Sequence, residues 1–225
     1  MRSSITITMV HELRRPVQSL KTFISFLRNK QLRQDEEQTE QIINDSAFEL
    51  DNMTAYLSTT REMARGVQER TPLTLSEFDV NSLIDRLIRV IPIPKGKDVT
   101  FSRHSGAQHV YVYADFTHIA NCVRNLIENS IKYSGSSVHI DIWTSVDTNN
   151  CVIQVSDNGF GIAPSERKLI FEPFFRSPRF NLGEIPGLGL GLNYVRLIMS
   201  MHGGCLTLSP SKVGASFTIS LPIGK

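Results

Sequence analysis

The first third of the chain has the apolar pattern of two helices. One seam of apolar positions, at alternating steps of three and four, runs through Val10, Leu13, Val17, Leu20, Ile24 and Leu27. A second seam, which ends before Gly66, runs through Ile43, Ala47, Leu50, Met53, Leu57 and Ala64. This spacing is typical of helices packed in coiled-coil fashion. Because one helical hairpin would leave much apolar surface in water, we expect two copies to pair as a homodimer with a four-helix bundle.

Beyond a polar, proline-containing stretch the pattern alternates between helix and strand periods. Asp79 and Asp115 each precede a helical pattern and can act as N-caps. Further helices are predicted near PSERKLIF and in LGLNYVRLIMSMH, and strands in DVTFSR, HVYVYA, SVHIDIWTSV, CVIQVSD, CLTLSP and ASFTISLP. The two strands around DTNN form a predicted hairpin. The whole indicates an α+β protein in which a helix layer covers a mixed sheet in the second part.

We therefore divide the chain into a helical hairpin at 1–67, a linker at 68–76 and an α/β domain at 77–225. The net charge of +2, from 24 basic and 22 acidic residues, argues against nucleic acid as a partner. The three cysteines are far apart, which favours neither a zinc site nor disulfide bonds. Since no stretch reaches the roughly 18 apolar residues of a membrane span and no leader opens the chain, we expect a soluble polypeptide.

A histidine on the first helix is the first candidate for chemistry. His11 lies one step off the apolar seam, and its neighbour Glu12 can accept a ring proton, which would leave a nucleophilic nitrogen. Pro16 removes the amide that would bond the Glu12 carbonyl, so the helix must bend or loosen beside the histidine. Taken alone, these residues also fit an exposed histidine next to a tolerated kink.

The second part offers a site for a nucleotide. In NCVRNLIENSIKYS, Asn125 and Asn129 share a helix face with Lys132 one turn further on; amide oxygens can ligate Mg²⁺ and an ammonium can meet a phosphate. In DNGFGIAP, Asp157 can accept a hydrogen bond from an exocyclic amine such as that of adenine. In the same stretch, Gly159 and Gly161 allow the backbone to approach a ligand closely. In GLGLGL, Gly187, Gly189 and Gly191 precede a predicted helix, whose start can bind phosphates.

The order of HELRRP, NLIENSIKYS, DNGFGIAP, FEPFFR and GLGLGL resembles the H, N, G1, F and G2 boxes of sensor histidine kinases of two-component systems. The resemblance covers nearly the whole chain. It implies a dimerisation and histidine-phosphotransfer hairpin followed by an α/β-sandwich ATP-binding domain of the Bergerat type. It also implies ATP and Mg²⁺ as cofactors, autophosphorylation, and transfer of the phosphoryl group to the receiver domain of a response regulator.

The same resemblance implies roles for individual residues. His11 is then the phospho-acceptor and Glu12 its acid/base partner, while Asn129 ligates Mg²⁺ and Asn125 lies near the metal and phosphates. By the same resemblance, Lys132 binds a phosphate, Tyr133 contacts the nucleoside and Asp157 binds the adenine amine. Phe174 helps to position the ATP lid, and Arg176 binds the γ-phosphate. The lid would extend from Phe175 to Gly187. Membrane attachment would come only from an N-terminal sensor part, so we expect the cytoplasmic portion of a bacterial membrane-anchored sensor.

Two departures from the family pattern stand out. Pro186, Gly187 and Leu188 occupy positions where relatives often have two glycines and a small hydroxyl residue. The family pattern therefore does not predict how stiff the lid of this chain is. Arg15 stands where many relatives have a threonine or asparagine that orients a water for dephosphorylating the regulator. Because arginine only donates hydrogen bonds, we expect weak phosphatase activity.

Two alternatives remain open. A hydrolytic ATPase of the same nucleotide fold carries a glutamate as general base where this chain has Asn125, and an amide cannot take that proton. A catalytically degenerate dimeric scaffold would bind nucleotide without phosphorylating His11. The altered glycine box and Arg15 favour such a scaffold, whereas the joint presence of His11, Glu12, Asn129 and Asp157 argues against it.

Overall fold

The computed structural model describes residues 73–180, 185 and 189–223, together with positions 21 and 24, which are helical. The chain divides into two compact units, Met1–Thr71 and Pro72–Lys225. The described part of the second unit consists, in chain order, of β1 (Leu75–Asp79), α1 (Val80–Val90), β2 (Asp98–Ser105), β3 (Tyr111–Asp115), α2 (Phe116–Lys132), β4 (Ser137–Asp147), β5 (Asn150–Asp157), α3 (Gly191–Met201), β6 (Cys205–Leu208) and β7 (Ser216–Pro222).

The main sheet has five strands in the order β2-β4-β5-β7-β6. Only the β2–β4 pair is parallel, so the sheet is mixed as predicted. The predicted hairpin is confirmed, since β4 and β5 pair from Ile140 opposite Asp157 to Asp147 opposite Asn150. This register sets Asp157 at the end of β5.

The helices pack on one face of this sheet. Alternate residues of the central strands are fully buried beneath them, among them Ile140, Ile142, Ile153, Val155 and Ile219. The opposite face carries exposed side chains such as Trp143, which is 49% exposed. The predicted helix layer over a mixed sheet is therefore confirmed. The end of α2 and the start of α3 contribute to the site described below.

Asp79 fixes the start of α1 as predicted. Its carboxylate accepts the amides of Asn81 and Ser82 and, from the segment before β3, the amide of Val110 at 2.8 Å. Burial by itself raises the pKa of Asp79, but hydrogen bonds from Ser82, Val110 and His109 outweigh it and lower the pKa to about 2.

Helix α2, which carries the polar residues of interest, is held at both ends. At its start the predicted cap, Asp115, accepts the His118 amide at 3.0 Å. At its end Lys97 donates from Nζ to the carbonyls of Ile131 and Ser134. These hydrogen bonds satisfy carbonyls that a helix end leaves without partners. The positive charge of the Lys97 ammonium also interacts favourably with the negative end of the helix dipole. Burial lowers the pKa of Lys97.

Two features differ from the sequence prediction. Strand β1 pairs antiparallel with β3 in a separate two-stranded sheet, with Leu75 opposite Asp115. Its first two residues fall within the predicted linker, and its residues show no alternation because Leu75, Ser76 and Glu77 are all exposed. The short helix predicted near PSERKLIF is instead two single 3₁₀ turns, Pro164–Glu166 and Leu169–Phe171.

Within the described ranges, no helix combines the length and the apolar character needed to cross a membrane.

Candidate functional site

A carboxylate at the end of β5 is surrounded by three hydrogen-bond donors. Asp157 Oδ1 accepts the backbone amides of Gly159 at 2.9 Å and Ala215 at 3.0 Å. Asp157 Oδ2 accepts the hydroxyl of Ser130, on α2, at 2.9 Å. Donors from three chain segments therefore fix the orientation of this side chain, and Oδ2 keeps a lone pair for a further donor. We call this part of the site the base end.

The loop after Asp157 is packed tightly against the end of α2. A Cβ at Gly159 would lie 2.5 Å from the Tyr133 carbonyl oxygen and 2.6 Å from Ser134 Oγ. The Phe160 amide donates to the same Tyr133 carbonyl at 2.9 Å. The sequence-predicted residues Tyr133, Asp157 and Gly159 are therefore neighbours.

Two residues that sequence reasoning missed support the base end from the segment just before β7. Gly214 has a φ of +65°, and a Cβ there would lie 1.9 Å from the Asp157 carbonyl oxygen. The following residue, Ala215, provides one of the amides that bind the Asp157 carboxylate. The sequence-predicted Gly161 also approaches this segment, since its Cβ would lie 3.0 Å from the Gly214 carbonyl oxygen. The small residues of VGASF were the only sign of this contact in the sequence.

The polar face of α2 meets the start of α3. Asn125 donates from Nδ2 to the Asn121 carbonyl at 2.8 Å, which leaves its Oδ1 directed at Gly191. A Cβ at Gly191 would lie 2.7 Å from that oxygen and 4.0 Å from Asn129 Nδ2. Because no side chain caps α3, its first amides are available to an anion, and the helix dipole favours one there. We call this part of the site the phosphate end.

Lys132, which we include in the phosphate end, forms an ion pair with a carboxylate of its own helix. Lys132 Nζ lies 3.0 Å from Glu128 Oε2, one turn earlier. The Glu128 side chain is 13% exposed, and its Oε1 is a buried atom with no hydrogen-bond partner among the described residues. The Lys132 side chain is 36% exposed, so its ammonium can turn away from this carboxylate.

Two residues that flank the predicted lid, Phe174 before it and Gly189 after it, are in contact with each other. The Phe174 amide donates to the Gly189 carbonyl at 3.0 Å, and Phe174 itself has a φ of +64°. Gly189 has a φ of +72°, and a Cβ there would lie 2.5 Å from the Phe175 carbonyl oxygen, so only glycine suits this position. Arg176 donates from Nη2 to the carbonyl of Ile185, which is buried.

Of the predicted site residues, His11, Glu12 and Gly187 lie outside the described residues, as does Arg15. The others fall into the two ends just defined or into the contact between Phe174 and Gly189, except Arg176, which is bonded to the Ile185 carbonyl. The base end can accept a hydrogen bond from an amine, and the phosphate end offers free helix amides, amide oxygens and a cation. Together they suit a nucleotide.

Comparison with known proteins agrees with this geometry. Residues 114–225 match the family model described as histidine kinase-, DNA gyrase B- and HSP90-like ATPase. The sensor protein RprX of Bacteroides fragilis is 26% identical over 229 residues, which cover all of this chain and 44% of that protein. The chain thus spans less than half the length of this curated relative.

Two solved structures are similar as well. One, a mycobacterial sensor histidine kinase MprB, shares 30% identity at a TM-score of 0.56, covering 66% of this chain and 97% of that one. The other is the histidine kinase ThkA in complex with the response regulator protein TrrA. It shares 26% identity at a TM-score of 0.61, covering 98% of this chain and 61% of that one.

Proposed function

Because the chain belongs to the sensor histidine kinase family, we propose that it is an ATP-dependent protein-histidine kinase of a two-component system. It would phosphorylate its own His11 and pass the phosphoryl group to an aspartate in the receiver domain of a response regulator. The observation that carries the proposal is the Asp157 carboxylate, held by three donors with one lone pair left for an adenine amine.

At the base end the chain recognises the nucleoside. The Ser130 hydroxyl and the amides of Gly159 and Ala215 hold Asp157 in one orientation before the ligand arrives, so binding costs little side-chain ordering. Asp157 Oδ2 accepts the exocyclic amine of adenine. Tyr133, whose carbonyl anchors the loop after β5, contacts the nucleoside.

At the phosphate end the chain binds and orients the triphosphate. The free amides at the start of α3 donate to phosphate oxygens, and Lys132 leaves Glu128 to meet them. Arg176 leaves the Ile185 carbonyl to meet the γ-phosphate.

The donor set at this end suits Mg²⁺. Asn125 already directs its amide oxygen into the space beside Gly191, and Asn129 lies one turn further on with an amide that can present oxygen to the same space. Asn129, with Asn125 nearby, would hold the ion. When bound, Mg²⁺ neutralises charge on the phosphates.

The acceptor lies in the other unit of the chain. His11, made nucleophilic by Glu12, attacks the γ-phosphorus in line: the N–P bond forms as the bond from the γ-phosphorus to the β,γ-bridging oxygen breaks, ADP leaves, and the ring proton passes to the Glu12 carboxylate. We propose that residues 1–67 form the dimerisation hairpin, that 68–76 are the linker, and that two copies form a four-helix bundle. The ThkA–TrrA complex supports a response regulator as the partner. We further propose that the chain is the cytoplasmic portion of a membrane-anchored bacterial sensor, and the relative named sensor protein RprX supports a role in sensing.

One incubation with γ-labelled ATP and Mg²⁺ tests this function. We expect label on the wild type that is lost in acid and survives base, no label on His11→Gln, and strongly reduced label on Asn129→Ala. His139→Gln, which changes a half-exposed histidine on the open face of the sheet, serves as the matched control and keeps its label. The oligomeric state is measured in the same preparations. Equal labelling of His11→Gln and wild type would contradict the proposal.

A further inference from the structure

A turn formed by residues 177–180, directly after the FEPFFR motif, is fixed against the base end. Ser177 Oγ donates to Glu166 Oε1 at 2.6 Å, and this glutamate is buried. On the other side Arg179 donates from Nη1 to the Gly161 carbonyl at 3.2 Å and from Nη2 to the Phe160 carbonyl at 3.4 Å. We call residues 177–180 the strap. Its last residue, Phe180, is therefore delivered to a defined place.

The ring of Phe180 joins two others that come from separate parts of the chain. Its centroid lies 5.5 Å from that of Tyr133, at the end of α2, and 5.5 Å from that of Phe160, in the loop after β5. The ring planes are inclined by 55° and 41°. Tilted pairs cover only part of each ring face, unlike stacked pairs. In agreement with this, Phe160 is still 49% exposed.

The three rings border the base end. Phe160 donates its amide to the Tyr133 carbonyl, and Gly159, whose amide binds Asp157, packs against that same carbonyl. A planar apolar ligand beside Asp157 would cover ring faces that the cluster leaves open, and nucleic acid bases stack favourably on aromatic side chains.

We propose that Phe180 is a nucleoside-binding residue that completes, with Tyr133 and Phe160, an aromatic wall for the base and ribose of the bound purine nucleoside. This inference rests on the proposed nucleotide site. Phe180 follows the FEPFFR motif and belongs to none of the motifs that carry the family resemblance. Its role comes from the strap, which ties the start of the lid segment to the loop after β5.

The test compares ligands that differ only in their phosphates. Binding of adenosine, ADP and a non-hydrolysable ATP analogue is measured by calorimetry for the wild type and Phe180→Ala. Because the ring contacts the base and ribose, we expect all three ligands to weaken by the same factor, about tenfold. Phe180→Leu keeps an apolar side chain but loses the ring, so its expected loss is smaller. Tyr113→Ala, which removes a half-exposed ring on β3, is the matched control and leaves all three affinities unchanged.

The outcomes separate this inference from the proposed function. Adenosine affinity unchanged in Phe180→Ala, with normal binding by the wild type, would overturn the role of Phe180 and leave the kinase proposal standing. A loss that grows with the number of phosphates would also overturn it, since Phe180 would then act only by anchoring the lid segment. A wild type that binds none of the ligands would overturn both. If Phe180→Ala fails to fold, unchanged adenosine affinity in Phe180→Leu would overturn the inference.

Discussion

The base end and the phosphate end of the site differ in what their polar groups do before a ligand arrives. At the base end, Asp157 is held by three donors that leave one of its lone pairs directed at the ligand. At the phosphate end the two cationic side chains are bonded to their own neighbours, Lys132 to Glu128 and Arg176 to the Ile185 carbonyl, whereas the bond from Asn125 to Asn121 leaves its amide oxygen directed at Gly191.

The difference indicates a division of labour. A preorganised group binds without paying for its own ordering, whereas Lys132 and Arg176 must each leave a partner before they meet a phosphate. The Lys132–Glu128 helix pair contributes only about 0.3–0.5 kcal/mol, and Arg176 exchanges a neutral carbonyl for a charged phosphate oxygen, which is a stronger acceptor, so the exchange is favourable. Adenosine should therefore depend on the base end alone, while ATP depends on both. The predictions below use that contrast.

Gly214→Ala should have the largest effect, because it disturbs the support of Asp157 itself. The new Cβ would lie 1.9 Å from the Asp157 carbonyl oxygen, at a backbone φ of +65° that disfavours side chains. Overpacking and the left-handed backbone together should cost about 3 kcal/mol of unfolding free energy. We expect adenosine and ATP affinity to fall together by about a hundredfold, measured by calorimetry, with urea unfolding in parallel.

Gly135→Ala is the matched control for this change, because a Cβ at Gly135 would meet nothing within 4 Å. It should leave stability and both affinities at the wild-type level. If Gly214→Ala binds adenosine normally, the base end is not held rigid by the segment before β7, and the contrast between the two ends fails.

Ser130→Ala should weaken the base end without disturbing the backbone. It removes the donor to Asp157 Oδ2 and leaves the amides of Gly159 and Ala215 in place, so the carboxylate loses one of three restraints. We expect adenosine and ATP to lose affinity by the same factor, about fivefold, because about 1 kcal/mol is the net contribution of one typical hydrogen bond. Ser156→Ala, beside Asp157 in the chain but bonded to Ser216 on β7, should change neither affinity. A loss for ATP alone would assign Ser130 to the phosphate end.

Local signals predicted most of the fold. Asp79 and Asp115 cap the helices that follow them, and the DTNN hairpin is formed, because each depends on residues close in sequence. Strand β1 gave no such signal: its stability comes from pairing with β3, across about 35 residues, and three of its five side chains are exposed. Tertiary pairing of this kind leaves no period in the sequence.

The site divides in the same way. The predicted residues Tyr133, Asp157 and Gly159 are neighbours because one loop and one helix end bring them together. Gly214, Ala215 and the strap were not predicted, because their contacts with Asp157 and Phe160 join distant parts of the chain. These contacts use backbone amides and carbonyls, which no particular residue type in the sequence indicates. The internal partners of Lys132 and Arg176 likewise depend on the folded structure.

Glu128→Gln should have the smallest effect and tests the phosphate end by itself. The substitution removes the negative charge that holds Lys132 and that would repel a triphosphate. A helix pair one turn apart contributes only about 0.3–0.5 kcal/mol, and the Lys132 side chain is its more exposed member, so freeing Lys132 should tighten ADP and the ATP analogue by about twofold. Adenosine should bind as before. The gain should shrink as salt is raised, because it is electrostatic.

Asp85→Asn is the control for Glu128→Gln, because it removes one carboxylate and its ion pair with Arg103 without touching either end of the site. It should leave all affinities unchanged. If Glu128→Gln instead weakens ATP while sparing adenosine, the carboxylate acts as part of the phosphate end, and its Oε1, which has no hydrogen-bond partner in the part of the chain that the structure describes, then contacts the bound ligand directly. If adenosine and ATP shift together, Glu128 supports the whole of α2, and the two ends are coupled through that helix rather than independent. Either result would replace the proposed contrast between the base end and the phosphate end. A gain confined to phosphate-bearing ligands would instead establish that Lys132 is held by Glu128 until a phosphate binds.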